Sequence, residues 1–297
     1  MPLRGIEQRR ITSFDGTSIA YQVRGDGPAI VLSNGLGGSF AAWRHQYSLF
    51  GPHYKVLSWD YRGLYRSARP ASLGALSVPD QVRDLELVLA AEGVERAVFV
   101  GWSMGVQVNF EYYRRRPDQF AGLVVLNGTF GRPFETAFGA PGVRLLIPLL
   151  LSAMRRGAPL VEQGARAAVG WNGLIPAIQR LGLVSHTLDH QVFHDLAKEF
   201  SSLDFEVYAE TMRFLGQHDA EDVLGRIAVP TLVLTGSKDV MTPVKTARRM
   251  IEAIPRAELV VLKGGTHYTA VEFPDLVNQH LRRYLGQLDY GPLATRG

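Results

Sequence analysis

The chain has 297 residues, 46% of them hydrophobic and 20% charged, a composition that suits a globular protein with a sizeable core and excludes a disordered or fibrous one. Basic residues exceed acidic ones by four, and the densest cluster, Arg114-Arg115-Arg116, closes a predicted helix before Pro117, where cations meet the negative end of the helix dipole; no nucleic-acid partner is expected. There is no cysteine, which excludes disulfides, thiolate catalysis and zinc–thiolate sites.

In chain order, Met1–Ser13 is polar and charged and lacks the apolar core of a signal peptide. Strands are predicted at Arg10–Ser13 and Ser18–Arg24, joined through the hairpin turn Asp15-Gly16. Further short, β-branched runs lie at Ala29–Ser33, Lys55–Trp59, Ala97–Val100, Gly122–Leu126, Thr231–Leu234 and Glu258–Leu262. Continuous rather than alternating hydrophobicity suits strands buried on both faces of a parallel sheet. Helical patterns intervene at Pro79–Glu92, Gly105–Arg116, Pro243–Ile254 and Pro274–Leu285. The alternation breaks between about Thr129 and Ile227, where Leu145–Met154, Val192–Phe200 and Phe205–Leu215 read as helices. The expectation is one α/β core of residues 1–129 and 226–297 carrying a helical cap, residues 130–225. The longest apolar run, Leu145–Leu151, is interrupted by Pro148 and falls short of the roughly 20 residues that span a bilayer. A cytoplasmic protein without stable membrane insertion is expected.

The sharpest motif is Gly101-Trp102-Ser103-Met104-Gly105, a G-x-S-x-G placed between a predicted strand and a predicted helix. A tight turn there exposes the serine hydroxyl at a helix N-terminus, with the Met104 amide free to bind a developing oxyanion. Serine needs a base, and the base an orienting acid, in the chain order serine, acid, histidine. Asp239 closes Leu234-Thr235-Gly236-Ser237-Lys238-Asp239, and His267 lies in Gly264-Gly265-Thr266-His267, each just past a predicted strand. All three therefore fall at one edge of the sheet, where open α/β sheets place their sites. The second oxyanion amide is assigned to Leu36 in the glycine loop Asn34-Gly35-Leu36-Gly37-Gly38.

These segments, with Asp60-Tyr61-Arg62-Gly63 and the histidine loop GGTHYTAVEFPD, resemble in order the motifs of the α/β-hydrolase superfamily. The resemblance implies a mainly parallel eight-stranded sheet flanked by helices, with Ser103 as nucleophile, Asp239 as acid and His267 as base. Some relatives carry the acid after the earlier strand, but that position reads Leu126-Asn127-Gly128-Thr129 here. Two departures stand out: Asn34 replaces a common histidine of the oxyanion loop, and Tyr65 replaces a glycine after Asp60-x-Arg62-Gly63, making that turn bulkier. Asp60 and Arg62 read as structural.

A serine at the elbow implies attack on a carbonyl, an acyl-enzyme and release by water. The expected substrate is an uncharged, apolar small-molecule ester, lactone or thioester, with no cofactor. The cap supplies apolar side chains such as Phe130, Phe134, Phe138, Leu145, Leu146, Ile147, Trp171, Phe193, Phe205 and Phe214, and Trp102, Asn34 and Phe130 are the candidate substrate contacts. A carbon–carbon bond hydrolase, an acyltransferase or perhydrolase, and a non-catalytic receptor remain alternatives. His186, His190 and His194 share a face if helical, which reads as a solvated cap surface rather than a metal site.

Overall fold

The computed structural model describes residues 5–136, 143–171 and 173–293. Eight strands, β1 (Ile6–Thr12), β2 (Ser18–Arg24), β3 (Ala29–Ser33), β4 (Lys55–Trp59), β5 (Ala97–Trp102), β6 (Phe120–Leu126), β7 (Thr231–Gly236) and β8 (Ala257–Leu262), form one sheet in the order β1-β2-β4-β3-β5-β6-β7-β8. The β1–β2 and β2–β4 pairs are antiparallel and the rest parallel. Helices α1 (Arg44–Phe50), α2 (Val78–Ala91) and α3 (Met104–Arg115) fall between the early strands, while α11 (Val244–Ala253), α12 (Thr269–Glu272) and α13 (Pro274–Gln287) accompany the last two.

The pleat explains why the central strands read as continuous apolar runs. Successive side chains point to opposite faces, and here both faces are covered. Val31, Phe99, Leu123 and Val233 meet α2, α3 and α11 on one side. Ile30, Val98, Val100 and Leu232 meet α1 and α13 on the other. The reading of β8 as buried on both faces is corrected: it is an edge strand, paired only with β7, and Val261 is 39% exposed. β1 closes the opposite edge and starts at Ile6, earlier than its apolar pattern suggests, because its outer residues face water.

Between β6 and β7 the described residues form helices and loops and no named strand: α4 (Pro133–Thr136), α5 (Val143–Arg156), α6 (Ala158–Val169), α7 (Leu174–Arg180), α8 (His190–Phe200), α9 (Phe205–Gln217) and α10 (Glu221–Leu224). Helix α9 lies on the core, with Val207 filling the space above Gly63. Helices α5 and α6 pack on α9 from outside. Ion pairs tie this layer down: Arg44 to Asp195 at 2.6 Å, Arg66 to Glu199 at 3.4 Å, and Arg69 to Asp204 and to Glu206, the latter at 2.6 Å. Asp189 caps α8 through the Val192 amide, so the helix begins at His190 and His186 lies outside it. The three histidines therefore do not form one helical stripe. Phe138 lies outside the described residues.

The turn after β4 is held by buried charge. The Arg62 guanidinium, fully buried, donates to both oxygens of Asp84 at 2.6 and 2.8 Å and to Asp15 at 3.0 Å. Arg114, Arg115 and Arg116 are likewise spent on neighbouring carboxylates of Asp222, Glu111 and Asp118. Tyr65 sits at φ 52°, in the left-handed region that glycine prefers. Asp60 accepts the Arg66 amide at 3.3 Å, and burial pushes its carboxyl up to about 6, with Arg66 offsetting only part of the rise. A carboxyl raised on folding contributes stability that is complete below its ordinary value and is lost as pH rises through its folded value. Chemical unfolding of wild type and Asp60→Asn across about pH 4 to pH 7 is expected to show wild type losing about 2 kcal/mol relative to the variant.

Candidate active site

The site is built where β5 turns into α3 within one residue. Ser103 has φ 54° and ψ −114°, a strained conformation for a non-glycine residue. The crowding beneath it explains the flanking glycines. A Cβ on Gly101 would lie 2.7 Å from the Gly105 carbonyl carbon, and one on Gly105 would lie 2.1 Å from the Ser33 carbonyl oxygen. Helix α3 thus crosses β3 with no room for a side chain, and Ser103 is lifted to its N-terminus.

His267 follows β8 and Asp239 follows β7, and the structure brings both to Ser103. The His267 Nε2 is 2.9 Å from Ser103 Oγ, and its Nδ1 is 2.9 Å from Asp239 Oδ2. Asp239 and His267 are buried, while Ser103 keeps some exposure. Five donors converge on the Asp239 carboxylate: His267 Nδ1, Asn127 Nδ2 at 2.8 Å, the Thr242 hydroxyl at 2.6 Å, and the amides of Met241 and Thr242, each at 2.9 Å. Burial alone would raise the acid, but the His267 charge and the hydrogen bonds from His267 and Thr242 outweigh it and bring its pKa down to about 2.

The amides of Leu36 and Met104 have no hydrogen-bond partner among the described residues. Met104 opens α3, where the first amides lack intrahelical acceptors and the dipole favours negative charge. The Leu36 loop is braced from behind. Asn34 accepts from Trp43 Nε1 at 2.6 Å and donates to the Trp59 carbonyl at 2.7 Å, while the Tyr61 hydroxyl donates to the Asn34 carbonyl at 2.6 Å. An asparagine here therefore supplies bracing of its own.

Asn34, Trp102 and Phe130, expected as substrate contacts, are all buried and bonded or packed within the scaffold. The Asn34 amide is used up on Trp43 and Trp59. The Trp102 indole is packed where any Cβ on Gly38 would stand, and its Nε1 donates to the His267 carbonyl at 2.9 Å. Phe130 is buried, with Arg249 over its ring at 4.9 Å. Other helical-layer side chains lie close to the site loops. Phe200 lies against the Gly37 backbone and edge-on to Tyr208, and Phe193 stands edge-on to Tyr268, next to His267. Leu146 and Trp171 face outward, 57% and 60% exposed.

Three polar residues behind the site escaped the sequence reading. Asn127, at φ 45°, occupies the position where some relatives hold the acid; its amide bonds Asp239 and the Thr266 carbonyl at 3.0 Å, and Thr269 donates to its oxygen. Its place after a central strand was the available signal. Thr242, three residues past Asp239, closes an Asx-type turn. Glu272, 2% exposed, accepts from the Thr266 amide at 2.7 Å and hydroxyl at 2.6 Å, holding the histidine loop.

This fold and site define a chain of the α/β-hydrolase class. Residues 28–274 match the family model of the α/β-hydrolase fold, and the chain belongs to that family. It is similar to the RutD protein of Azorhizobium caulinodans, named as a carbamate hydrolase, with 26% identity over 91% of this chain and 95% of that protein. Among solved structures it resembles the esterase RhEst1 from Rhodococcus sp. ECU1013, with 25% identity, a TM-score of 0.72 and coverage of 95% of this chain and 99% of that one. It also shares its fold with the enol-lactonase from Burkholderia xenovorans LB400, with 23% identity, a TM-score of 0.74 and coverage of 93% and 99%.

The crossing of α3 over β3 can be tested by stability alone. Gly105→Ala is expected to cost about 3 kcal/mol or more in urea unfolding, because the backbone must shift. Gly164→Ala in α6, where a Cβ meets nothing within 4 Å, is expected to gain roughly 0.5–1 kcal/mol.

Proposed function

We propose that this chain is a serine hydrolase that cleaves an apolar small-molecule ester, or a related lactone or thioester. Ser103 is the nucleophile, His267 the base and Asp239 the orienting acid. The observation that carries the reading is the continuous relay from Asp239 Oδ2 through His267 to Ser103 Oγ, with 2.9 Å at each step, ending beside two free amides.

The Ser103 oxygen attacks the carbonyl carbon as His267 Nε2 takes its proton. The carbonyl oxygen becomes an oxyanion held by the amides of Leu36 and Met104. Collapse expels the alcohol, which receives the proton from His267 and leaves an acyl group on Ser103. A water then repeats the cycle and releases the acid. Asp239 stays ionised throughout, since its pKa is held near 2, so it fixes the imidazole tautomer and balances the imidazolium charge. The helices between β6 and β7 act as a cap, and Phe193, Phe200 and Tyr208 make its inner surface suited to an apolar acyl or alkyl group.

A second reading is favoured by the curated relatives named as carbamate hydrolases, which are 26% and 28% identical in two species. A carbamate offers the same carbonyl to Ser103, with an amine or alcohol leaving.

Wild type and Ser103→Ala are to be compared on p-nitrophenyl esters of increasing acyl length and on aryl carbamates. A loss of about a thousandfold or more in the variant supports nucleophilic catalysis, and the faster series names the bond. No wild-type turnover on either series overturns the reading. Asn127 is a positioning residue here: Asn127→Ala is expected to lower kcat about tenfold at unchanged KM, the equivalent of one hydrogen bond to a charged group. It should also move the acid limb of the pH–rate profile upward, which a general loss of packing would not do.

A further inference from the structure

The chain's surplus of positive charge has one address. Between Val143 and Leu183 there are five arginines and one glutamate, with no lysine or aspartate, an excess that equals the formal +4 of the whole chain. The remainder is balanced. The same stretch holds seven of the thirteen large hydrophobic side chains that stand exposed among the described residues, among them Leu149, Leu150, Leu160, Trp171 and Leu181, at 60% to 74%. So many exposed apolar side chains within one stretch of chain mark an interaction site.

The packing shows which way this face looks. Helices α5 and α6 both sit on α9, which sits on the core. Leu146, Leu149, Leu150 and Ala153 are spaced by three and four along α5 and are all exposed, so they form its outer stripe, directed away from the sheet. Arg156 ends α5 and Arg180 ends α7; both are exposed and form no ion pair among the described residues. Beside Trp171 lies a hollow lined by Ile175, Phe193, His194 and Ala197, and the Phe193 ring stands edge-on to Tyr268, next to His267. The face therefore adjoins the layer that covers the candidate site.

We infer that the outer face of α5–α7 docks on an anionic phospholipid surface, its leucines and Trp171 entering the headgroup boundary and Arg156 and Arg180 meeting the lipid phosphates. Exposed apolar side chains together with the unpaired arginines Arg156 and Arg180 are what an interfacial site requires. A second copy of the chain is disfavoured as occupant, because two such faces would bring like charges together. The inference does not depend on the bond that Ser103 attacks.

The full chain is to be floated with vesicles of phosphatidylcholine alone and with added phosphatidylglycerol, at low and high salt. Expected is binding that needs phosphatidylglycerol and weakens with salt. Leu149→Glu/Leu150→Glu should weaken it about a hundredfold, roughly tenfold per buried leucine, and Arg156→Glu/Arg180→Glu should weaken it too, with the thermal midpoint unchanged in both. No vesicle binding, binding indifferent to phosphatidylglycerol, or binding unaltered in both variants overturns it. So does a concentration-dependent dimer that Leu149→Glu/Leu150→Glu abolishes, which would make the face a contact between copies. Turnover of a water-soluble ester by the same variants reports separately on the catalytic reading.

Discussion

The site rests on a steric constraint, the contact of α3 with β3 at Gly105 and Ser33. A helix that crosses a strand so closely must leave the neighbouring strand β5 abruptly, and a single residue, Ser103, absorbs the turn at φ 54°. Such a conformation costs of order 1–3 kcal/mol and persists only where its surroundings over-determine it. Here they do: both flanking strands are buried, and the Ser33 hydroxyl, directly below, is bonded to Asn109 at 2.6 Å. The exposed hydroxyl and the free Met104 amide follow from that one crossing.

The electrostatics of the site have a similar economy. A buried carboxylate is unfavourable unless its oxygens are satisfied, and five donors do this for Asp239. They come from β7's own turn, from the end of β6 and from the histidine loop, so Asp239 binds three neighbouring loops together. Because Asn127 donates to Asp239 and to the Thr266 carbonyl at once, the end of β6 takes part in the site while carrying no charge.

Much of this was legible in the chain itself. β3 and β4 could be bounded to the residue because Gly, Pro, Asn and Asp punctuate short runs whose two faces are both buried. The candidate triad could be placed because each member follows such a run. What stayed hidden was set by context. β8 has the same composition as the central strands, and only its place at the sheet edge exposes Val261. Asn34 and Phe130 lie in loops and Trp102 ends β5, but all three side chains are buried, which spacing along the chain does not reveal. The packing of Phe200 against the Gly37 loop and Tyr208 depends on how α8 and α9 settle on the core, which their apolar spacing alone does not fix. The role of Asn127 was missed for a related reason: a position read for the acid it lacks does not show the donor it supplies.

Glu272 has one further partner. The oxygen that accepts the Thr266 hydroxyl also accepts the Ser185 amide at 2.6 Å, and four residues on, the Asp189 amide donates to the Val271 carbonyl at 3.1 Å. A carboxylate this buried loses a donor only at a cost of about 1–3 kcal/mol. The segment around residues 185–189 is therefore an anchor, moored to the loop that carries His267. The start of α8 and the His267 loop are thus joined at two points, Ser185 to Glu272 and Asp189 to Val271, and share one frame.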